Sequence, residues 1–403
     1  MKNNNIFIYI VFLLSLVYFV SQFLRSALGI IAINISQEFQ LNYEQIGRLG
    51  GIFFLSFALM QIPLGIILDK YNPIKLIFSM LIIVYIGTLI LSYANSYELV
   101  FFARTLQGIG CSVFLMGPLV YLAKNSPKNS FSKFSGVIMG VGGLGALFAF
   151  GPFYHLNLSF GWQNSFLIFS FFILMITIMT YFLLNTKGSN TNKKKNKSEI
   201  DEYIFIFSNK NFLMILPISI FGYASFAFLL TLWGSNFLIL KDTINETDIA
   251  NILMLMALFW TFGSFFYGTI NQKIPKNKPI VVVSTLLMIV VLISLAFLNT
   301  ENYYFLLSKF CIYGFIGAFT LVVLDHYRKL FNSEIFGKVL TAANLFNFGG
   351  VFFIQWIIGF VIDYLTEKAK ISLQSAFSYA FILVSLLLFL SILFYLKADE
   401  DKS

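Results

Sequence analysis

Three cations stand inside stretches of chain that are otherwise uncharged: Arg25, Arg104 and Lys309. A charge held in an apolar surrounding is costly unless it faces water or a partner, so each of the three needs a reason to be there. No Asp or Glu falls in the middle third of any apolar run; the nearest acids, Asp69, Asp325 and Asp363, lie at run ends. Fixed positive charge without a carboxylate suits an anion and repels an organic cation. Arg25, within Phe19-Val-Ser-Gln-Phe-Leu-Arg25-Ser-Ala-Leu-Gly29, is the sharpest candidate, because a guanidinium holds a carboxylate or phosphate through two parallel hydrogen bonds. Two readings stay open for each cation. Arg25 is an anion contact or a packing device satisfied by helix carbonyls. Arg104 contacts solute or serves structure and coupling, and Lys309 lines a cavity or snorkels to the surface.

Amides and aromatics on neighbouring runs complete a candidate binding set: Tyr18 and Gln22 beside Arg25, Gln61, Gln107 beside Arg104, then Tyr223, Trp233, Asn236, Asn344, Asn347 and Gln355. Asn344, Asn347 and Gln355 share one broad helical face. Such amides hydrogen-bond a solute or glue helices together, and Tyr or Trp near a run end can be an interfacial anchor. His155 and His326 have no metal-ligand spacing and read as solvated positions, with a proton relay at His326 beside Asp325 as the alternative. Cys111 and Cys311 both sit in apolar runs, which excludes a disulfide framework or zinc cluster. No phosphate-cradling loop, metal set or nucleophile-base pair can be assembled, so the expectation is a non-enzyme without cofactor or metal.

The elements that must position these residues follow from composition. In 403 residues, 58% are apolar, 11% are charged, and 50 are Phe, which no solvated surface accommodates. Apolar runs long enough to cross a bilayer as helices occur at about 6–33, 45–68, 75–94, 98–123, 134–155 and 163–184. Six more follow at 212–238, 249–271, 279–298, 302–325, 337–362 and 373–396. From Phe134 to Thr186, 53 residues carry no formal charge, a length and pattern that transmembrane strands cannot produce. The expected class is therefore an all-α integral membrane protein of twelve transmembrane helices. A cleaved signal peptide is the rival reading of the first run, which lacks a good basic n-region.

Of the 27 Lys and Arg, 20 fall in the termini and even-numbered loops and four in the odd-numbered loops, which puts both termini in the cytoplasm. The net charge of +9 reads as topology rather than nucleic-acid binding, since the one dense basic cluster, Lys193, Lys194, Lys195 and Lys197, has no recognition fold around it. That cluster belongs to a polar linker, 186–210, between an N-terminal six-helix bundle, 1–185, and a C-terminal one, 211–403. The glycines at 140, 142, 143 and 145 read as close helix packing.

The halves repeat. Gly65-Ile-Ile-Leu-Asp69-Lys70, ending at Lys75, matches Gly268-Thr-Ile-Asn-Gln272-Lys273, ending at Lys278, at a constant offset of 203 residues. With this repeat the chain resembles the major facilitator superfamily over nearly its whole length. Gly65 to Lys75 is similar to that family's loop 2–3 signature, Arg104-Thr-Leu-Gln107-Gly108 to its Arg-x-x-Gln-Gly signature in span 4, and Ala343 to Gly350, continuing to Gln355-Trp356, to a common span 11 pattern. The span 5 antiporter signature is not reproduced, and Gln272 stands where the second loop would carry an aspartate.

The resemblance implies two pseudo-symmetric six-helix bundles rocking about a cavity lined mainly by spans 1, 4, 7 and 10. It implies a gate at Gly65, Asp69, Lys70 and Lys75 that locks the outward-facing form. The position of Arg25 resembles a phosphate-contacting arginine in the family's organophosphate antiporters. The function expected is secondary transport of a small anionic organic solute by alternating access, in a bacterial-type inner membrane. The expected partners are that solute, a coupling ion (a proton or an exchanged anion) and the bilayer, with the protein a monomer. Proton-coupled drug or metabolite efflux and a non-transporting solute sensor are the rival readings.

Overall fold

The computed structural model describes residues 2–127, 130–184, 199–274, 276–298, 302–332 and 335–400. The linker lysines Lys193 to Lys197 lie outside the described residues, as do the side chains of Asp69 and Gln272. All regular structure among the described residues is helical. Twelve helices there are long and apolar enough to cross a membrane: Ile6–Phe39, Tyr43–Leu68, Pro73–Ser92, Tyr97–Asn125, Lys133–Phe150, Pro152–Phe182, Lys210–Leu238, Glu246–Asn271, Asn277–Phe297, Tyr303–Leu330, Phe336–Lys368 and Leu373–Tyr395. They are numbered spans 1 to 12 below. Their count and order are those expected; their ends differ where local chemistry overrides hydropathy.

Span 5 stops at Phe150 rather than near residue 155, because Pro152 cannot continue the hydrogen-bond ladder and instead starts a new helix. That helix breaks again at Gly161, whose φ of 78° is a left-handed conformation open to glycine. Span 10 runs on to Leu330, past the expected end at 325, and carries His326 into the interior. Within the expected linker, Glu199–Ser208 is a helix. Its Tyr203 and Ile206 are buried, the Tyr203 hydroxyl is 2.9 Å from Thr341 Oγ1, and Glu202 pairs with Lys338 at the start of span 11. The apolar content of Glu-Tyr-Ile-Phe-Ile-Phe gives this stretch a face to bury, which the surrounding polar composition conceals.

The chain forms two compact units. One comprises Met1–Asn34 and Ile52–Lys195, the other Ile35–Gly51 and Asn196–Ser403. In the first, Phe23 of span 1 lies in a phenyl cluster with Phe153, Phe166 and Phe169, and spans 3 and 4 pack so closely that a methyl on Gly87 or Gly110 would strike the facing backbone. Of the four span 5 glycines, Gly142 makes room for Tyr18 and Gly145 for the span 1 backbone at Phe19, whereas Gly140 and Gly143 face open space. The close-packing reading therefore holds for two of the four.

In the second unit, residues 35–51 join the last six spans. The Asp363 carboxylate of span 11 accepts hydrogen bonds from the backbone N–H groups of Tyr43 (3.0 Å) and Glu44 (2.7 Å), capping the first turn of span 2. Trp356 donates its indole N–H to Glu44 (3.0 Å), and Glu44 also pairs with Arg48. Gly47, Gly51 and Gly359 allow the two helix backbones to touch; a Cβ at any of them would collide with the opposite strand of backbone.

Candidate functional site

Arg25 and Arg104 are tied together by span 2. The guanidinium carbon of Arg25 lies 4.5 Å from the ring centre of Phe57, and that of Arg104 lies 4.8 Å from Phe53. Phe53 and Phe57 are one helical turn apart, with ring planes at 22° and centres 6.4 Å apart. Two cations thus rest on two stacked phenyl rings, each attracted by the negative face of its own ring. They differ in access. Arg104 is 1% exposed, Arg25 is 9% exposed, and Gln22, one turn before Arg25, is half-buried.

The span 4 signature acquires a physical meaning here. Arg104 Nη1 donates to the backbone carbonyl of Leu24 (2.7 Å), immediately before Arg25, and to Gln107 Oε1 (3.1 Å). Gln107 in turn donates from Nε2 to Thr88 Oγ1 of span 3 (3.2 Å). A side chain at Gly108 would run into the Phe53 carbonyl and Ser56 hydroxyl, so glycine lets span 2, and its phenyl ladder, approach span 4. Arg104, Gln107 and Gly108 therefore join spans 1 to 4 into one frame behind Arg25.

Tyr18 is buried against Gly142, and Gln61 donates to the Phe57 carbonyl of its own helix (3.3 Å). In the second unit, Lys309 donates to the Ser294 carbonyl near the end of span 9 (2.9 Å) and lies 4.6 Å from the Phe305 ring. It thus runs toward the helix ends while staying buried. Trp233, with no exposure, is packed between Tyr43 and Phe377 on a π-helical turn, Leu229–Trp233. Asn236 donates to the Leu232 carbonyl, Asn347 accepts from Ser219 (2.8 Å), and the fully buried Gln355 donates to Thr231 (2.8 Å). Asn347 and Gln355 thus bond span 11 to span 7, whereas the Asn236 bond stays within its own span. Asn344 and Tyr223 are half-buried, and Tyr223 meets Phe348 edge-on at 5.2 Å.

At the loop between spans 2 and 3, helix ends at Lys70, Asn72 Oδ1 accepts from Ile74 N–H (2.9 Å), and Pro73 opens span 3. Gly65 and Asp69 lie on the last turns of that helix, and Lys70 and Lys75 are exposed. The repeat-related loop joins spans 8 and 9. Asp325 accepts from Asn271 (2.8 Å) and pairs with Arg328 (2.6 Å), while Lys329 donates to Asn277 (2.8 Å). His326 is buried rather than solvated, its Nδ1 2.8 Å from the Tyr395 hydroxyl and its Nε2 2.7 Å from the Asp399 carbonyl.

Sequence reading alone does not find Phe53 and Phe57, nor the Asp363 cap. A four-residue Phe spacing is a usable signal only once the facing helix is known.

Helices of this number and length, with cations seated inside them, define a multi-pass membrane protein. The chain belongs to the Major Facilitator Superfamily, whose sequence model matches residues 14–326, and it spans less than two thirds of the length of the curated relatives it matches. It is 22% identical over 242 residues to the sialic acid transporter NanX of Escherichia coli (strain K12), a match spanning 59% of this chain and 58% of that protein. Over 153 residues it is 26% identical to the probable nitrate transporter NarT of Staphylococcus carnosus (strain TM300), covering 38% of this chain and 39% of that one. In fold it is similar to an inward-facing, unoccupied bacterial homolog of the human lysosomal transporter Spinster, with a TM-score of 0.79, 17% identity, and 97% of this chain and 96% of that chain covered. A D-xylose-proton symporter is similar with a TM-score of 0.77 at 15% identity, covering 97% and 98%.

Proposed function

We propose that this transporter carries a small anionic organic solute by alternating access, and that Arg25, assisted by Gln22, is the principal anion contact. One observation carries the reading. Before the linker the chain holds four acids, Glu38, Glu44, Asp69 and Glu98, of which the first two belong to the second unit and the other two lie at helix ends. Fixed positive charge in spans whose acids stand only at their ends suits an anionic solute. The named cargoes of NanX and NarT, a sugar acid and nitrate, are both anions, which supports the same sign for this chain.

Gly65, Asp69, Lys70 and Lys75 form the gate. A proton or an exchanged anion drives the cycle. The protein works as a monomer in a bacterial-type inner membrane, with both termini cytoplasmic. The test is Arg25→Lys, measured for anion affinity and thermal stability together. Because an ammonium cannot copy a two-bond guanidinium clamp, affinity should fall by about tenfold or more while stability is kept. A stable variant with full affinity removes Arg25 from the site.

A further inference from the structure

We propose that residues 396–400, which follow span 12, form a strap that closes the end of the second unit bearing the loop between spans 8 and 9, and that the Glu400 carboxylate is the cap that span 9 lacks in its own sequence. This device is independent of which solute is carried.

The need for such a cap comes from the internal repeat. A helix start leaves backbone N–H groups without intrahelical acceptors, and an Asn, Asp, Ser or Thr at its edge usually takes one of them. In the first half Asn72 does this for span 3, accepting from Ile74 N–H (2.9 Å). At the repeat offset of 203 the corresponding residue is Pro275, and the residue bordering span 9 is Lys276, whose side chain caps nothing. An ammonium has no acceptor to offer. Span 9 is capped from elsewhere: one carboxylate oxygen of Glu400 accepts from the backbone N–H groups of both Asn277 and Lys278, the latter at 3.2 Å. Pro279 comes next and has no N–H, so Glu400 meets the first two donors of the helix, where the helix dipole also favours a negative charge.

The strap is itself held on several sides. Asp399 exchanges two hydrogen bonds with Asn211 at the start of span 7, its N–H donating to Oδ1 (3.0 Å) and its carboxylate accepting from Nδ2 (2.9 Å). Its carbonyl accepts from His326 Nε2 of span 10, and Tyr395 of span 12 fixes the other side of that buried imidazole. Ala398 is buried, and Lys278 Nζ returns the grip by donating to the Leu396 carbonyl (3.3 Å). One short segment thereby joins the starts of spans 7 and 9 to the ends of spans 10 and 12. Its hold reaches the adjoining loop. Asn277, fixed at its backbone by Glu400, uses its side chain to accept from Lys329 (2.8 Å) and to donate to Asp325 (3.4 Å), which also accepts from Asn271 of span 8. With the strap closed, this end of the unit moves as one body; with it released, the first turn of span 9 and the clasp between spans 8 and 10 are free to shift.

The experiment is a set of thermal melts of the full chain in detergent, with no ligand added. Glu400→Ala, Asn211→Ala and Lys276→Asn are measured singly, and each of the last two is also combined with Glu400→Ala. Glu400→Ala should lower the melting temperature by about 2–4 °C. Lys276→Asn copies the local cap of the first half, so it should recover most of that loss in the Glu400→Ala background and change the parent protein little. Asn211 bonds to the strap and not to span 9, yet Asn211→Ala with Glu400→Ala should melt close to the less stable of the two single variants, because either change releases the same segment. A parent-like melt for Glu400→Ala overturns the cap, as does a loss that Lys276→Asn leaves unrecovered. Additive losses from Asn211→Ala and Glu400→Ala overturn the strap as a unit. Should Glu400→Ala yield no folded protein, Glu400→Gln takes its place in both combinations, with the same outcomes deciding.

Discussion

Arg104 and Arg25 carry the same charge in different surroundings. Arg104 is sealed, and two of its hydrogen bonds hold span 1 and Gln107 in place. Arg104→Lys keeps the charge but replaces the planar group stacked on Phe53 by a shorter ammonium that falls short of Nη1, the one nitrogen that makes both bonds, and hydrogen bonds made by a charged group contribute about 1.5–3 kcal/mol each. The variant should therefore unfold at a distinctly lower temperature in a detergent melt, and should weaken anion affinity indirectly by releasing the backbone beside Arg25. That both arginines need water or a partner is legible in the sequence, because a charge inside an apolar run is conspicuous and costly. The setting of each is not. It depends on how far each helix is rotated about its axis and on which ring faces each guanidinium, and among 50 phenylalanines nothing marks Phe53 and Phe57 before the helices are packed. Trp233, Asn347 and Gln355 teach the same point from the other side: polar residues in apolar runs whose partners are other helices.

Among the elements, the glycines offer a paired test. Gly108 faces the Phe53 carbonyl at the closest approach of spans 2 and 4, whereas Gly140 faces open space. Gly108→Ala must push two helices apart and should cost about 1–3 kcal/mol, seen as a lowered melting temperature. Gly140→Ala adds a methyl where nothing is displaced and relieves the helix of a flexible residue, so it should stabilise by about 0.5–1 kcal/mol in the same assay. Twelve spans are readable from hydropathy because bilayer thickness fixes the length of apolar run required. Breaks within them are less so. Pro152 could be given its stop, but the positive φ of Gly161 has no such signal, and the apolar residues of Glu199–Ser208 are masked by the polar stretch around them.

For the whole molecule, the charge asymmetry makes an orientation testable without any substrate. A single cysteine placed at Ser198 should resist an impermeant thiol reagent in intact cells and react once the membrane is opened, because its loop holds the densest run of lysines. Labelling in intact cells reverses the orientation. A different measurement suits the seam where Asp363 caps span 2. The amides of Tyr43 and Glu44 are bonded to a side chain from a helix more than 300 residues away, not to their own helix, so their protection from solvent deuterium is owed to that one carboxylate. Every excursion that parts span 2 from span 11 leaves both amides open to exchange, while the interior amides of span 2 stay in their helical ladder. These two positions thus act as a built-in stopwatch: their exchange rate counts opening events, with no label added to the protein. Asp363→Asn should quicken the count at residues 43 and 44 alone, and saturating the carrier with a solute that favours one state should slow or speed it in proportion to the population moved.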